Sequence, residues 1–171
     1  MSKKTRQYIG LLSAIIAYYI IHEGAHFVYA LITGVFKEIK FMGLGMQIDI
    51  YAEKYTDIQM GMFCIIGSVA TFITAYLLTF MANKIVKSES KRFKACVYYI
   101  TIAMLLLDPL YLSLLCGFFG GGDMNGITLL FPEIAARIGY GVLLIVNVFV
   151  FIKVVLPKYK AEFEEDNVKY N

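Results

Sequence analysis

Four long apolar stretches constrain this chain more than any other feature of its sequence. They run from Tyr8 to Val35, from Met60 to Ala82, from Ala95 to Phe119 and from Ile134 to Leu156. Each is near or above the roughly 20 residues that a helix needs to cross the hydrocarbon core of a bilayer. Because 59% of the residues are hydrophobic and only 17% are charged, the composition is wrong for a water-soluble domain. The sequence therefore predicts an all-α integral membrane protein with about four transmembrane helices in a lipid bilayer.

The four stretches are expected to form a single membrane-embedded domain over residues 1–157, followed by a frayed, soluble tail over residues 158–171. The first stretch is too long for a cleaved signal peptide and carries ionisable residues in its second half, so we keep it as part of the structure. Cys64, Cys96 and Cys116 form no Cys-x-x-Cys pair and lie within or at the edge of apolar stretches. We interpret them as small buried hydrophobes, not as disulfides or metal ligands.

The basic residues indicate how the chain is oriented. Of the 16 Lys and Arg residues, 12 lie on one side of the four stretches: Lys3, Lys4, Arg6, Lys84, Lys87, Lys91, Arg92, Lys94, Lys153, Lys158, Lys160 and Lys169. The positive-inside rule then places both termini in the cytoplasm, and the expected location is a prokaryotic cell membrane. We interpret these charges as solvated flanks that set orientation, so neither a lipid-specific site nor a nucleic-acid partner is expected.

The first stretch carries the segment Ile21-His22-Glu23-Gly24-Ala25-His26-Phe27, a His-Glu-x-x-His pattern that contains both histidines of the protein. Residues four apart lie on one face of a helix, about 6 Å apart along its axis, so the two imidazoles can converge on one ion. Glu23, next to the first ligand, can take a proton from a water without coordinating the ion. The pattern predicts a hydrolytic Zn²⁺ site with His22 and His26 as ligands and Glu23 as the general base.

The same three residues also have structural interpretations, as a polar cluster that packs helices together or as a proton relay. Placing Glu23 at bilayer depth in its ionised form costs on the order of 2–3 kcal/mol. Burial without a function is therefore disfavoured, and metal binding is the preferred interpretation.

A tetrahedral catalytic zinc site takes a third protein ligand and leaves one position open. Because no third histidine exists, the candidates are Asp108, which precedes Pro109, and Asp123, which follows three glycines. Asp108 lies about as deep in its stretch as His22 does, whereas Asp123 falls in a break where unwound backbone can fold back toward the ion. The structural alternatives are a cap for the groups that Pro109 frees and an ordinary turn aspartate. The residues alone leave both candidates open.

The segment from Lys37 to Tyr51 predicts a short hairpin or re-entrant β-like segment after the first helix. Its apolar residues are separated by glycines: Ile39, Phe41, Ile48 and Ile50 surround Gly43 and Gly45. Such a segment offers an edge with which an extended substrate can pair. The alternative is an amphipathic loop that lies at the membrane interface.

Taken together, these segments resemble the site-2 protease family of intramembrane zinc metalloproteases. Beyond the zinc motif, Gly34 is similar to the glycine that ends the family's first core helix, and Gly43-Leu44-Gly45 to its Gly-x-Gly strand segment. Gly67-Ser68-Val69-Ala70-Thr71 resembles the Gly-Pro-x-x-Asn entry of its next core helix, with Ser68 and Thr71 as departures. Gly122-Asp123-Met124-Asn125-Gly126 is similar to its Leu-Asp-Gly motif, although the strict triplet is Gly-Asp-Met here.

The resemblance implies hydrolysis of a peptide bond in the transmembrane segment of a protein or peptide substrate, with Zn²⁺ as cofactor and Asp123 as its third ligand. Asp108 and Asn125 are then candidates for substrate positioning or for an alternative ligand, with Asp108-Pro109 in place of the family's Asn-x-x-Pro. The chain has no insertion long enough for a PDZ or nucleotide-sensing domain, so a regulatory partner in the membrane is expected. Family members orient the zinc-bearing helix opposite to the charge bias, and we follow the charges.

Two other functions fit parts of the sequence. One is a non-proteolytic metal-binding membrane protein, such as a chaperone or transporter subunit; the intact Glu23 argues against it, because coordination alone does not require that residue. The other is a membrane zinc protease of the prenyl-protein-processing kind, which Gly67, the segment Gly43-Leu44-Gly45 and the four-helix length disfavour.

Overall fold

A computed structural model describes residues 3–42, 45–118 and 122–168. The helices are α1 (Lys3–Ile32), α2 (Asp57–Ile85), α3 (Lys91–Leu110), α4 (Asp123–Ile127), α5 (Glu133–Val150) and α6 (Leu156–Val168), and the strands are β1 (Phe36–Met42) and β2 (Gly45–Ile50). A 3₁₀ turn, Ala52–Lys54, precedes α2, and π-helical turns, Tyr111–Leu115 and Phe151–Val155, follow α3 and α5. The predicted all-α architecture with a small β segment is confirmed.

Four helical segments are long and apolar enough to cross a membrane: 4–32, 57–85, 91–115 and 133–161. They coincide with the four predicted stretches. Their outer faces expose large apolar side chains, among them Ile20 at 63%, Phe80 at 86% and Ile145 at 71%. Soluble proteins rarely expose apolar surface on this scale. The fold is therefore compatible with a multi-pass membrane protein.

The buried side chains form two clusters at opposite ends of the helices. One contains Cys64, Met124 and Ile127, and the other contains Met104, Leu105 and Tyr159. All three cysteines are free, as predicted, and Cys64 and Cys116 are buried. α1 packs against both α2 and α3, and α5 packs against α3. The three helices α1, α2 and α3 therefore surround the point where the polar residues of α1 lie.

Helix α3 passes through Pro109, which has no N–H to donate to the carbonyl of Leu105 one turn earlier. The side-chain amide of Asn147 in α5 donates to that carbonyl instead, at 2.7 Å, and Asn147 Oδ1 accepts from the hydroxyl of Tyr76 in α2 at 2.7 Å. Asn147 is 1% exposed. It thus joins three helices where the proline interrupts the backbone ladder, which is the role that one interpretation of the sequence gave to Asp108.

The segment after α1 is an antiparallel hairpin, which confirms the β interpretation of residues 37–51. α1 ends at Ile32 and is followed by a turn at Gly34, whose φ of +71° is the left-handed conformation that glycine favours after a helix end. In the hairpin Ile39 pairs with Ile48 and Phe41 pairs with Met46. Gly43 and Leu44 of the Gly-x-Gly segment lie outside the described residues.

The C-terminal segment differs from the frayed tail that the sequence suggested. Residues 156–168 form α6, which contains Pro157 and continues directly from the π-helical turn Phe151–Val155. The ring of Tyr159 is 1% exposed and lies 5.0 Å from the ring of Tyr98 in α3. Burial of this aromatic surface explains why the helix continues.

Candidate metal centre

Three side chains from α1 and α4 converge on one point. Nε2 of His22 lies 3.2 Å from Nε2 of His26 and 3.1 Å from Oδ2 of Asp123, and Nε2 of His26 lies 3.6 Å from the same oxygen. The two histidines are 7% and 3% exposed. Among the described residues, this is the group of donors close enough to hold one metal ion.

The donor set fits a zinc ion in chemistry and in spacing. Zinc is bound by imidazole nitrogen and carboxylate oxygen, and ligands about 2.0–2.1 Å from a tetrahedral ion lie about 3.3–3.4 Å from one another. The separations of 3.1, 3.2 and 3.6 Å bracket that value. The donor set and its spacing are therefore compatible with a bound metal ion.

Gly67 of α2 keeps one side of this group open. A Cβ atom at Gly67 would lie 2.6 Å from Nε2 of His26 and 2.7 Å from Nε2 of His22. Both distances are shorter than any normal contact, so only glycine fits there. The glycine that the sequence offered as the start of a core-helix motif thus packs against the Nε2 atoms of both histidines.

Asp123 is the first residue of α4, and the packing of α4 against α2 places it beside the histidines. Gly122 precedes α4 with a φ of +44°. Gly126 brings α4 against α2, since a Cβ there would lie 2.2 Å from Sγ of Cys64. Met124 is buried beneath the same helix, whereas Asn125 is exposed and is not part of the metal-binding group. Gly120 and Gly121 lie outside the described residues.

Glu23 lies beside the group without belonging to it. Its Oε2 accepts a hydrogen bond from the backbone N–H of Ile48 at 3.3 Å, so the hairpin positions the carboxylate. Ile48 is 4% exposed. The carboxylate is therefore anchored to the hairpin and is not one of the three converging donors.

Asp108 lies on the other side of the His22 ring from Asp123. Its Oδ1 is 3.1 Å from Nδ1 of His22, and it accepts hydrogen bonds from the hydroxyls of Tyr18 and Thr71. It is 1% exposed. The structure therefore groups Asp123, and not Asp108, with the Nε2 atoms of the histidines.

Two residues around Asp108 were not anticipated from the sequence as parts of the site. Tyr18 lies one turn before His22 and stacks on it, with ring centroids 5.2 Å apart. Thr71 lies one turn after Gly67 on the same face of α2. The available signal was the four-residue spacing, which continues the histidine face of α1 to Tyr18 and the glycine face of α2 to Thr71.

Comparison of the chain with family models, with curated proteins and with solved structures finds no significant match.

Proposed function

We propose that this protein is an intramembrane zinc metalloprotease that hydrolyses a peptide bond in a transmembrane segment, in the manner of the site-2 protease family. The observation that carries the proposal is the convergence of His22, His26 and Asp123 beside a carboxylate, Glu23, that the hairpin holds in place. A coordination site alone would not need that fourth residue.

His22, His26 and Asp123 would hold the zinc ion. When bound, zinc supplies a Lewis acid that polarises a carbonyl and lowers the pKa of a water. Glu23 would take a proton from the attacking water and return it to the leaving amine. Gly67 supports this assignment because it leaves free the space in front of both Nε2 atoms.

The hairpin is the surface on which an extended substrate would lie. The N–H of Ile48 points away from β1 and toward Glu23, and in an antiparallel ladder the carbonyl of the same residue points the same way. The outer edge of β2 therefore faces Glu23, which occupies the N–H of Ile48. The remaining backbone groups of this edge would pair with an unwound segment of substrate backbone. A transmembrane helix must unwind before cleavage, because its amides are otherwise bonded internally.

The substrate class follows from the surroundings of the site. The helices that carry the ligands and pack around them are long and apolar enough to cross a membrane. A substrate that reaches His22 from the side must itself tolerate lipid, which favours a transmembrane protein or peptide. We place the protein in a prokaryotic cell membrane.

The decisive experiment compares Glu23→Gln with wild type for zinc content and for cleavage of labelled transmembrane peptides in lipid bicelles. We expect zinc to remain bound while turnover falls by a factor of roughly 10² or more, since the base is lost and the ligands are kept. The matched control is Glu53→Gln in the exposed 3₁₀ turn, which should cleave like wild type. Equal cleavage by Glu23→Gln would refute the proposal, and bound zinc without cleavage by wild type would favour a non-proteolytic metal protein.

A further inference from the structure

Asp108 is a buried carboxylate whose surroundings are unusual for a group of its charge. Among the described residues, its recorded partners are the hydroxyls of Tyr18 and Thr71 and Nδ1 of His22. It is 1% exposed in the middle of three packed helices. A buried carboxylate is costly unless its oxygens are paired or hydrogen-bonded. The three groups together occupy both of its oxygens.

The geometry connects Asp108 to the metal-binding atoms through one ring. Nδ1 of His22 lies 3.1 Å from Oδ1 of Asp108, while Nε2 of the same ring faces His26 and Asp123. A proton on Nδ1 leaves the lone pair of Nε2 for a metal ion, and the acceptor beside Nδ1 decides which tautomer forms. Nδ1 of His22 forms no hydrogen bond of normal geometry among the described residues, and Asp108 is the described group at ion-pair distance from it.

His26 provides an internal contrast. Nδ1 of both histidines is buried and, among the described residues, forms no hydrogen bond of normal geometry. Nδ1 of His22 has a carboxylate oxygen 3.1 Å away, and Nδ1 of His26 has no such neighbour among the described residues. The two histidines are thus held in different ways: His22 has a carboxylate behind it, whereas His26 is fixed by packing, with Phe63 at a ring distance of 4.7 Å. Any effect of Asp108 on the metal must therefore pass through His22.

We propose that Asp108 is a positioning residue of the metal centre, locked in place by Tyr18 and Thr71, that orients His22 and fixes its tautomer for metal binding. The inference rests on the metal site of the proposed function but not on proteolysis. Outer carboxylates of this kind typically change metal affinity or activity by about 10–100-fold when removed. Thr71 acts one step further out, because it touches the carboxylate and not the ligands, whereas Tyr18 touches both the carboxylate and the ring of His22.

The test is a Co²⁺ titration of the purified full chain, read from the visible absorption of the bound ion. Asp108→Ala should weaken Co²⁺ binding by about 10–100-fold and alter the spectrum, and Asp108→Asn should recover part of the loss because its carbonyl oxygen still accepts a hydrogen bond. Thr71→Val and Tyr18→Phe should each cause a smaller loss. In the Asp108→Ala background, Thr71→Val should add nothing, since its effect passes through the missing carboxylate.

A matched control separates positioning from general stability. Thr79→Val also removes a buried hydroxyl of α2, but that hydroxyl donates to the carbonyl of Ala75 in its own helix at 2.8 Å, so Co²⁺ affinity should not change. The proposal is overturned if Asp108→Ala binds Co²⁺ like wild type, or if Thr71→Val retains its full effect without Asp108. Wild type that binds Co²⁺ but cleaves no peptide would end the protease assignment and leave this inference standing. Wild type that takes no Co²⁺ overturns both.

Discussion

The backbone N–H of Ile48 donates to Oε2 of Glu23 at 3.3 Å, which ties the hairpin to the first helix at the residue that we assign as general base. The contact explains why a two-stranded sheet is maintained beside long apolar helices. Isolated hairpins are marginally stable, but this one buries Ile48, which is 4% exposed, against the cluster that contains Val35 and Phe63.

The first prediction concerns that hydrogen bond. Ile48→Pro removes the N–H at a position where it faces away from β1, so the ladder should persist. We expect zinc content to be unchanged and turnover to fall roughly tenfold or more, because a hydrogen bond to a charged acceptor contributes about 1.5–3 kcal/mol. Ile48→Val, which keeps the N–H, is the control and should cleave at close to the wild-type rate. Equal loss in both variants would mean that side-chain packing, and not the N–H, matters.

Metal content is the second prediction. Purified protein should carry about one zinc per chain, and His22→Ala, His26→Ala or Asp123→Ala should each abolish retention, because each removes one of the three converging donors. Asn125→Ala is the matched control, since Asn125 lies on the same short helix but is exposed. Elemental analysis by mass spectrometry after gel filtration gives the stoichiometry. Wild-type zinc in any of the three ligand variants would remove that residue from the site.

Gly67 gives the third prediction. In Gly67→Ala the added methyl would lie 2.6 and 2.7 Å from the two Nε2 atoms, so the histidines cannot keep their positions and metal should be lost. Gly24→Ala is the control: it falls inside the His-Glu-x-x-His motif, yet its Cβ would meet nothing within 4 Å. That variant should keep its zinc and gain up to about 1 kcal/mol of helix stability. Zinc bound normally by Gly67→Ala would show that the site is wider than these distances.

How much of this arrangement the sequence reveals depends on the range of the interaction. The histidine spacing is local, so one helix suffices to place His22 beside His26. The hairpin was also predictable, because its alternation and glycines are local signals. The role of Asp108 was not: depth along α3 made it a candidate ligand, but which side of the His22 ring it meets depends on how α3 packs against α1. No spacing within a single segment contains that information.

The same limit explains why the hydrogen bond from Asn147 to the carbonyl of Leu105 was not predicted from the sequence. Pro109 indicates that the carbonyl of Leu105 lacks its usual N–H donor in the helix. Asp108 is the nearest polar residue in the sequence, so it was the side chain considered for this region. The actual partner comes from another helix, 42 residues from Leu105. Local sequence can therefore predict that a backbone group needs a donor without predicting which distant side chain supplies it.

Asn147 is the subject of the fourth prediction. Asn147→Leu leaves the carbonyl of Leu105 and the hydroxyl of Tyr76 without their recorded partner, and each buried unsatisfied group costs about 1–3 kcal/mol. Thermal unfolding in detergent should show a clear loss of stability. Tyr76→Phe, which removes only one of the two bonds, should cost less. Zinc stoichiometry should be unaffected in both folded variants, and a Leu variant as stable as wild type would refute the role of the amide.

Orientation is the last prediction, and the structure makes it a test of two positions at once. The turn between α2 and α3 contains Ser88, and the 3₁₀ turn at the other end of α2 contains Glu53. Since α2 is long enough to span the bilayer, these positions should lie on opposite sides.

Cysteines are introduced singly at each, in a chain whose native cysteines are replaced by alanine, and intact cells are treated with an impermeant maleimide. The charge bias predicts labelling at position 53 and protection at position 88 until the cells are permeabilised. The reverse pattern would mean that the zinc-bearing helix runs inward as in the site-2 protease family, and labelling of both positions in intact cells would refute a spanning α2.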